Sequence, residues 1–247
     1  MNLRTDLSDM VRRIALALLA WTLTLSCPAS GLAHVTGADA VTAGTPTSAI
    51  GTAYTFESLL QGRPVRWDPC TPIHWRYRTS GQVAGGFTPV ARAVARIANV
   101  TGTTWVYDGT ASTTPTSAWL PQTSTARPPV LIGWTTAAHS DLLRGQSPTV
   151  LGVTRSAWFG VTRDGVTRAS THSAVIALNQ SKHLPLTGSG SWYTVVLHEL
   201  SHAMGLGHAG SSRELMYPVI QPGLTDLQPG DLSGLARLGR AQGCIGF

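Results

Sequence analysis

The amino-acid sequence predicts one α+β domain, or an α/β sandwich-like one, and three observations carry that prediction. Short runs of alternating or continuous apolar residues, bounded by Gly, Pro and Asp, recur between residues 65 and 180. One stretch of helical periodicity interrupts them early, and two more come late. A length of 247 residues, with 43% hydrophobic and 12% charged residues, suits one good-sized core with short appendages.

In chain order, Arg12 and Arg13 precede an apolar run from Ile14 to Ser26 and small residues ending in Gly31-Leu32-Ala33. That is the layout of an export signal over residues 1–33, with cleavage after Ala33 and a secreted product. The run is too short for a stable membrane span. A lipid anchor at Cys27 is not expected, because Thr24 stands where a lipobox usually has Leu. Residues 34–62, rich in Thr, Ala, Gly and Ser, read as a linker or short pro-segment, and residues 63–247 as the folded domain. Ile73 to Arg78 alternates as a half-buried strand does. Thr88-Pro89 opens a helix with Val90, Val94, Ile97 and Ala98 on one face, Thr88 being the expected N-cap. Trp105–Tyr107, Val130–Trp134, Val150–Phe159 and Ser173–Leu178 read as strands, Trp192–Leu206 and Asp231–Leu238 as helices. No internal repeat is present.

The net charge of +6 comes almost wholly from arginine, Lys182 being the only lysine. The arginines are scattered, apart from Arg12 and Arg13 and a loose group at Arg63, Arg66, Arg76 and Arg78, and no basic stretch is interleaved with aromatics. A nucleic-acid partner is therefore not indicated. Once the signal is removed, Cys70 and Cys244 remain, and in an exported chain they are expected to pair. The alternative is two unrelated buried thiols.

The chemistry lies in the run from His198 to His208, which opens with His198-Glu199-Leu200-Ser201-His202. Histidines four apart on a helix share one face and can share one metal ion. Glu199 comes directly after the first of them and sits where it can hold a water. Gly205 then permits the positive φ that ends a helix and reverses the chain, which returns His208 toward the same point. Three neutral imidazoles with one position left open describe a catalytic zinc site, whereas a structural site has four protein ligands.

With these residues the sequence resembles the metzincin metallopeptidases, whose signature is H-E-x-x-H-x-x-G-x-x-H followed by a methionine turn. His198, Glu199, His202, Gly205 and His208 match it position by position, and Leu215-Met216-Tyr217-Pro218 looks like the turn. The step from His208 to Met216 and the C-terminal Asp231 to Gly239 are most similar to the matrixin branch. The resemblance implies a mixed, mostly parallel sheet with an early helix, an active-site helix and a C-terminal helix. It places Met216 beneath the zinc as an apolar base, and Tyr217, Pro218 and Val219 along the pocket for the residue after the cut. Some positions depart from the pattern. Ala209 replaces a small polar or acidic residue, Gly230 stands where a second aspartate is frequent, and no switch cysteine or second-zinc cluster is seen. His74, His139, His172 and His183 are read as ordinary histidines. Calcium remains possible through carbonyls and scattered Asp residues, though nothing in the sequence shows it.

The expected activity is zinc-dependent cleavage of protein or peptide substrates by a monomer, with Glu199 as general base and then acid. An edge strand over Val150 to Phe159 is the expected docking line for extended substrate. The alternatives are a non-catalytic secreted zinc-binding module and a zinc hydrolase of non-peptide substrates on the same fold.

Overall fold

The computed structural model describes residues 32–36, 53–163 and 165–246. Its elements are β1 (Leu32–Thr36), β2 (Thr55–Phe56), β3 (Leu59–Leu60), β4 (Arg63–Pro64), β5 (Ile73–Arg78), α1 (Phe87–Thr101), β6 (Trp105–Ala111), β7 (Val130–Thr135), β8 (Val150–Arg163), β9 (Val166–Asn179), α2 (Trp192–Met204), β10 (Leu206–Gly207) and α3 (Pro229–Ala236). The signal-type run and Cys27 lie outside the described residues, and Ala33 falls in β1.

The main sheet runs β1-β8-β9-β7-β5-β6. Strands β9, β7, β5 and β6 are parallel, while β8 pairs antiparallel with both β9 and β1. This is the mixed, mostly parallel sheet with three helices that the metzincin resemblance implies. Alternation decides the faces. In β5, Ile73, Trp75 and Tyr77 are buried while His74 and Arg76 are exposed. In β7 every residue is buried, as befits a strand covered on both faces. Val130, Ile132 and Trp134 join the core beneath the helices, and Leu131 joins Leu142, Val153 and Val175 on the opposite face.

Helix α1 presents Val90, Ala93, Val94 and Ile97 to the core and stops at Gly102, where φ is +66°. It starts one residue before the expected Thr88 cap. Gly86 is the N-cap and makes no side-chain bond, so Thr88 and Pro89 both lie in the first turn. Helix α3 likewise starts two residues early, because Pro229 takes the first turn, where its missing N–H costs nothing. The β8–β9 hairpin extends past the sequence-predicted strand ends. Its outer pairs mix residue types, Val161 opposite Arg168, Thr162 opposite Thr167 and Arg163 opposite Val166, and leave no continuous apolar run.

Residues 53–62 pack into the domain. Strand β2 pairs with β10, and β3 forms a hairpin with β4. Cys70 and Cys244 form a disulfide across 174 residues, a closure worth about 4–5 kcal/mol in the loop-entropy picture.

Candidate metal centre

Helix α2 is buried along its whole length, so it carries no exposed stripe and is held on all sides by tertiary contacts. It is capped reciprocally. Ser191 Oγ accepts from Thr194 N, and Thr194 Oγ1 accepts from Ser191 N. Trp67 Nε1 donates to the Ala203 carbonyl at 2.8 Å near the other end.

The i, i+4 spacing brings His198 Nε2 and His202 Nε2 to 3.0 Å. A tetrahedral zinc with ordinary Zn–N bonds would hold two nitrogens roughly 3.3 Å apart. Both rings are buried. His198 Nδ1 lies 2.8 Å from the Leu215 carbonyl oxygen and His202 Nδ1 2.8 Å from that of Leu206. A carbonyl only accepts, so each Nδ1 carries its proton and each Nε2 presents a lone pair to the common point.

Gly205 ends α2 with φ +110°, its N–H donating to His202 O. A Cβ at this position would also lie 2.7 Å from the Val65 carbonyl oxygen, so both backbone conformation and space require glycine. Beyond the turn, β10 is caught by β2, and Thr55 Oγ1 donates to the His208 carbonyl at 2.7 Å. The ring of His208 is thereby set 5.3 Å from that of His198 and 4.7 Å from that of His202, centroid to centroid. One nitrogen from each of the three imidazoles falls within a 4.8 Å group. A compact, all-imidazole donor set, two of its members with the tautomer set by a backbone carbonyl, fits zinc.

Met216 is fully buried, and its carbonyl accepts from Ala209 N at 2.9 Å, next to His208 in sequence. Its turn is clamped by Asp231, whose carboxylate accepts from Leu215 N at 2.8 Å, Met216 N at 3.1 Å and Gln228 N at 2.8 Å. Burial pushes the Asp231 carboxyl upward, those backbone bonds pull it down, and the nearby Glu214 raises it again. Glu214 accepts from Gly230 N and Asp231 N at the start of α3. A Cβ on Gly230 would meet Glu214 Cδ at 2.6 Å, so in this chain glycine there makes room for Glu214. Tyr217, Pro218 and Val219 are half-buried in the chain that leaves the turn. A small recess beside His198 is lined by Thr194, Leu215, Ile220, Gln221 and Leu224.

Three groups at the centre carry no sequence signal of their own. Glu57 Oε1 lies 2.9 Å from His202 Nδ1, sharing that proton with Leu206 O. Burial raises the Glu57 pKa, and the neighbouring His208 opposes the rise. Thr154 Oγ1, on β8, lies 2.7 Å from Glu199 Oε2 and 3.0 Å from Glu199 O. Gly152 faces the same carboxylate so closely that a Cβ would lie 2.9 Å from Glu199 Cγ. Elsewhere, His74 pairs with Asp108, His139 with Thr136, and His172 lies buried against Phe159.

No curated protein sequence matches the chain. Residues 103–238, more than half of it, match the sequence model of the matrixin family. That span takes in the sheet from β6 onward, the histidine helix, the glycine turn, the buried methionine and α3. The chain therefore belongs to the matrixins, a family of zinc-dependent endopeptidases.

Proposed function

We propose that this chain is an exported endopeptidase in which His198, His202 and His208 hold one zinc ion and Glu199 moves the proton. The observation that carries the reading is the convergence of three imidazoles beside a fully buried carboxylate. Zinc held there by His198, His202 and His208 would supply a Lewis acid to polarise the scissile carbonyl and acidify the attacking water. Glu199 accepts the proton of that water and delivers it to the leaving amine. Thr154, by donating to Oε2, fixes the carboxylate's orientation, and the absence of a side chain at Gly152 leaves room for it. Met216 and the Asp231 clamp hold the Leu215 carbonyl against His198.

Substrate docks in extended form along β8, with Tyr217, Pro218 and Val219 bordering the pocket for the residue after the cut. Support for this line comes from β1, which runs antiparallel along β8, with Val35 opposite Gly152 and His34 opposite Val153. The same strand touches α2. A main chain therefore fits between β8 and the metal helix, and its hydrogen bonds are independent of sequence. β1 has to leave that edge before another chain can take it, which supports a pro-segment role for residues after the export signal. The Cys70–Cys244 bridge fits an oxidising compartment. Among the described residues no helix is long and apolar enough to cross a membrane.

The test is incubation of the secreted protein with an unfolded protein substrate, with and without a chelator, beside a zinc determination. Chelator-sensitive internal cleavage with one zinc per chain is the expected result. Bound zinc without cleavage of any peptide bond would leave a binding module or a non-peptide hydrolase instead.

A further inference from the structure

Away from the metal centre, a cavity of about 450 Å³ opens between the β3–β4 hairpin, the start of β9 and the C-terminal residues. Four arginines line it, Arg63, Arg66, Arg168 and Arg237, and no acidic residue or metal-centre histidine does. Only Arg63 and Arg66 are neighbours in sequence. The fold brings Arg168 from β9 and Arg237 from the end of α3 to join them, which concentrates a charge that the sequence spreads thinly.

Two of these guanidinium groups are built into the wall. Arg66 is half-buried, with Nη1 donating to Trp67 O at 3.3 Å and Nη2 to the carbonyls of Gln242 at 3.2 Å and Gly243 at 2.8 Å. Arg168 Nη1 donates to Ile245 O at 2.7 Å. The chain that supplies those carbonyls is tethered by the Cys70–Cys244 bridge, and Cys244 itself lines the cavity. Arg63 is exposed and comes after a turn through Gln61 at φ +51° and Gly62 at φ +74°. Among the described residues, no carboxylate forms an ion pair with any of the four arginines. Asp68, the acid that bears on Arg66, is engaged by Cys70 N and Ile245 N. Each guanidinium has five N–H donors, and the backbone takes only part of them.

We propose that this cavity is a binding site for a small oxyanion ligand, phosphate or sulfate, free or carried as esters on a sugar up to a disaccharide in size. Planar guanidinium forks match such oxyanions two bonds at a time. The volume lies within the range of roughly 300–1,000 Å³ usual for small-molecule sites. No aromatic side chain lines the cavity, so it offers no stacking platform for nucleic-acid bases. The inference stands independently of the chemistry assigned to the metal centre.

Isothermal titration of the disulfide-bonded protein tests it, using a trisulfated disaccharide, its unsulfated counterpart, inorganic sulfate and inorganic phosphate. The expected result is binding of the sulfated sugar, none of the unsulfated one, and at least a roughly tenfold loss of affinity in an Arg63→Gln/Arg237→Gln protein. Zinc content and melting temperature should be unchanged in that variant, since both side chains are exposed. Inorganic ions binding as tightly as the sugar would assign the site to the free oxyanion. No binding of any of these anions, or equal binding by the variant, would overturn the proposal.

Discussion

The metal centre is assembled from two kinds of region. One is local: His198, His202, Gly205, His208 and Met216 lie in a single short stretch, and helix, turn and return are dictated by the spacing. The other is distant. Thr154 reaches Glu199 across 45 residues, Thr55 reaches His208 across 153, and Glu57 meets His202 from the same early segment. In the proposed reading the local region supplies the ligands and the distant one aims them. The convergence of the three imidazoles was thus readable from spacing, while the orientation of each group depends on strands far away in sequence.

Substitutions in the two regions should separate these roles, and the largest effect belongs to the local one. Gly205→Ala places a side chain at φ +110° and 2.7 Å from the Val65 carbonyl. Strain at such a position costs about 1–3 kcal/mol before any clash. The return of His208 should fail with it, so zinc content and proteolysis should fall together, with a lowered melting temperature. A variant with normal zinc would show that the turn is not what sets the third imidazole.

Next in size is Glu57→Ala. Loss of a group that orients a ligand typically weakens metal affinity by about 10–100-fold. The lower end is expected, because Leu206 O still accepts from His202 Nδ1. Competition with a chromophoric chelator measures this, and unchanged affinity would reduce Glu57 to a bystander. Thr154→Val should act differently. It removes the donor to Glu199 Oε2 and replaces no member of the histidine triad, so kcat should drop about tenfold with zinc affinity unaltered. A change in zinc affinity without a change in kcat would reverse the assignment.

These contrasts explain what the sequence could and could not show. Ile73–Arg78, α1 and β7 were legible because their burial follows the period of 2 or 3.6. The Cys70–Cys244 pair was legible because few cysteines leave few pairings. Residues 53–62 resemble linker because they form only two-residue strands, whose apolar positions show no period. Thr154 and Gly152 looked like ordinary strand residues, since nothing local says which face of β8 meets α2. The arginine cavity needed four segments to meet before its charge became a site.

The smallest expected effect lies outside both regions. Burial, and after it the charge of Arg127, push the His172 pKa down from 6.5 to about 4. The folded state therefore prefers the neutral ring, and its contribution to stability is fully present above pH 6.5 and lost as pH falls from there toward 4. Melting temperature should decline over that window, and His172→Gln should flatten the decline without altering zinc content at about pH 7.5. An identical decline in the variant would place the acid sensitivity at other groups.

The most direct test of the central claim is Glu199→Ala, assayed on an unfolded protein substrate beside a zinc determination. With the three imidazoles intact and the base removed, one zinc per chain should remain while kcat falls by about 10²–10⁴. Near-normal cleavage by a zinc-loaded Glu199→Ala protein would contradict the account.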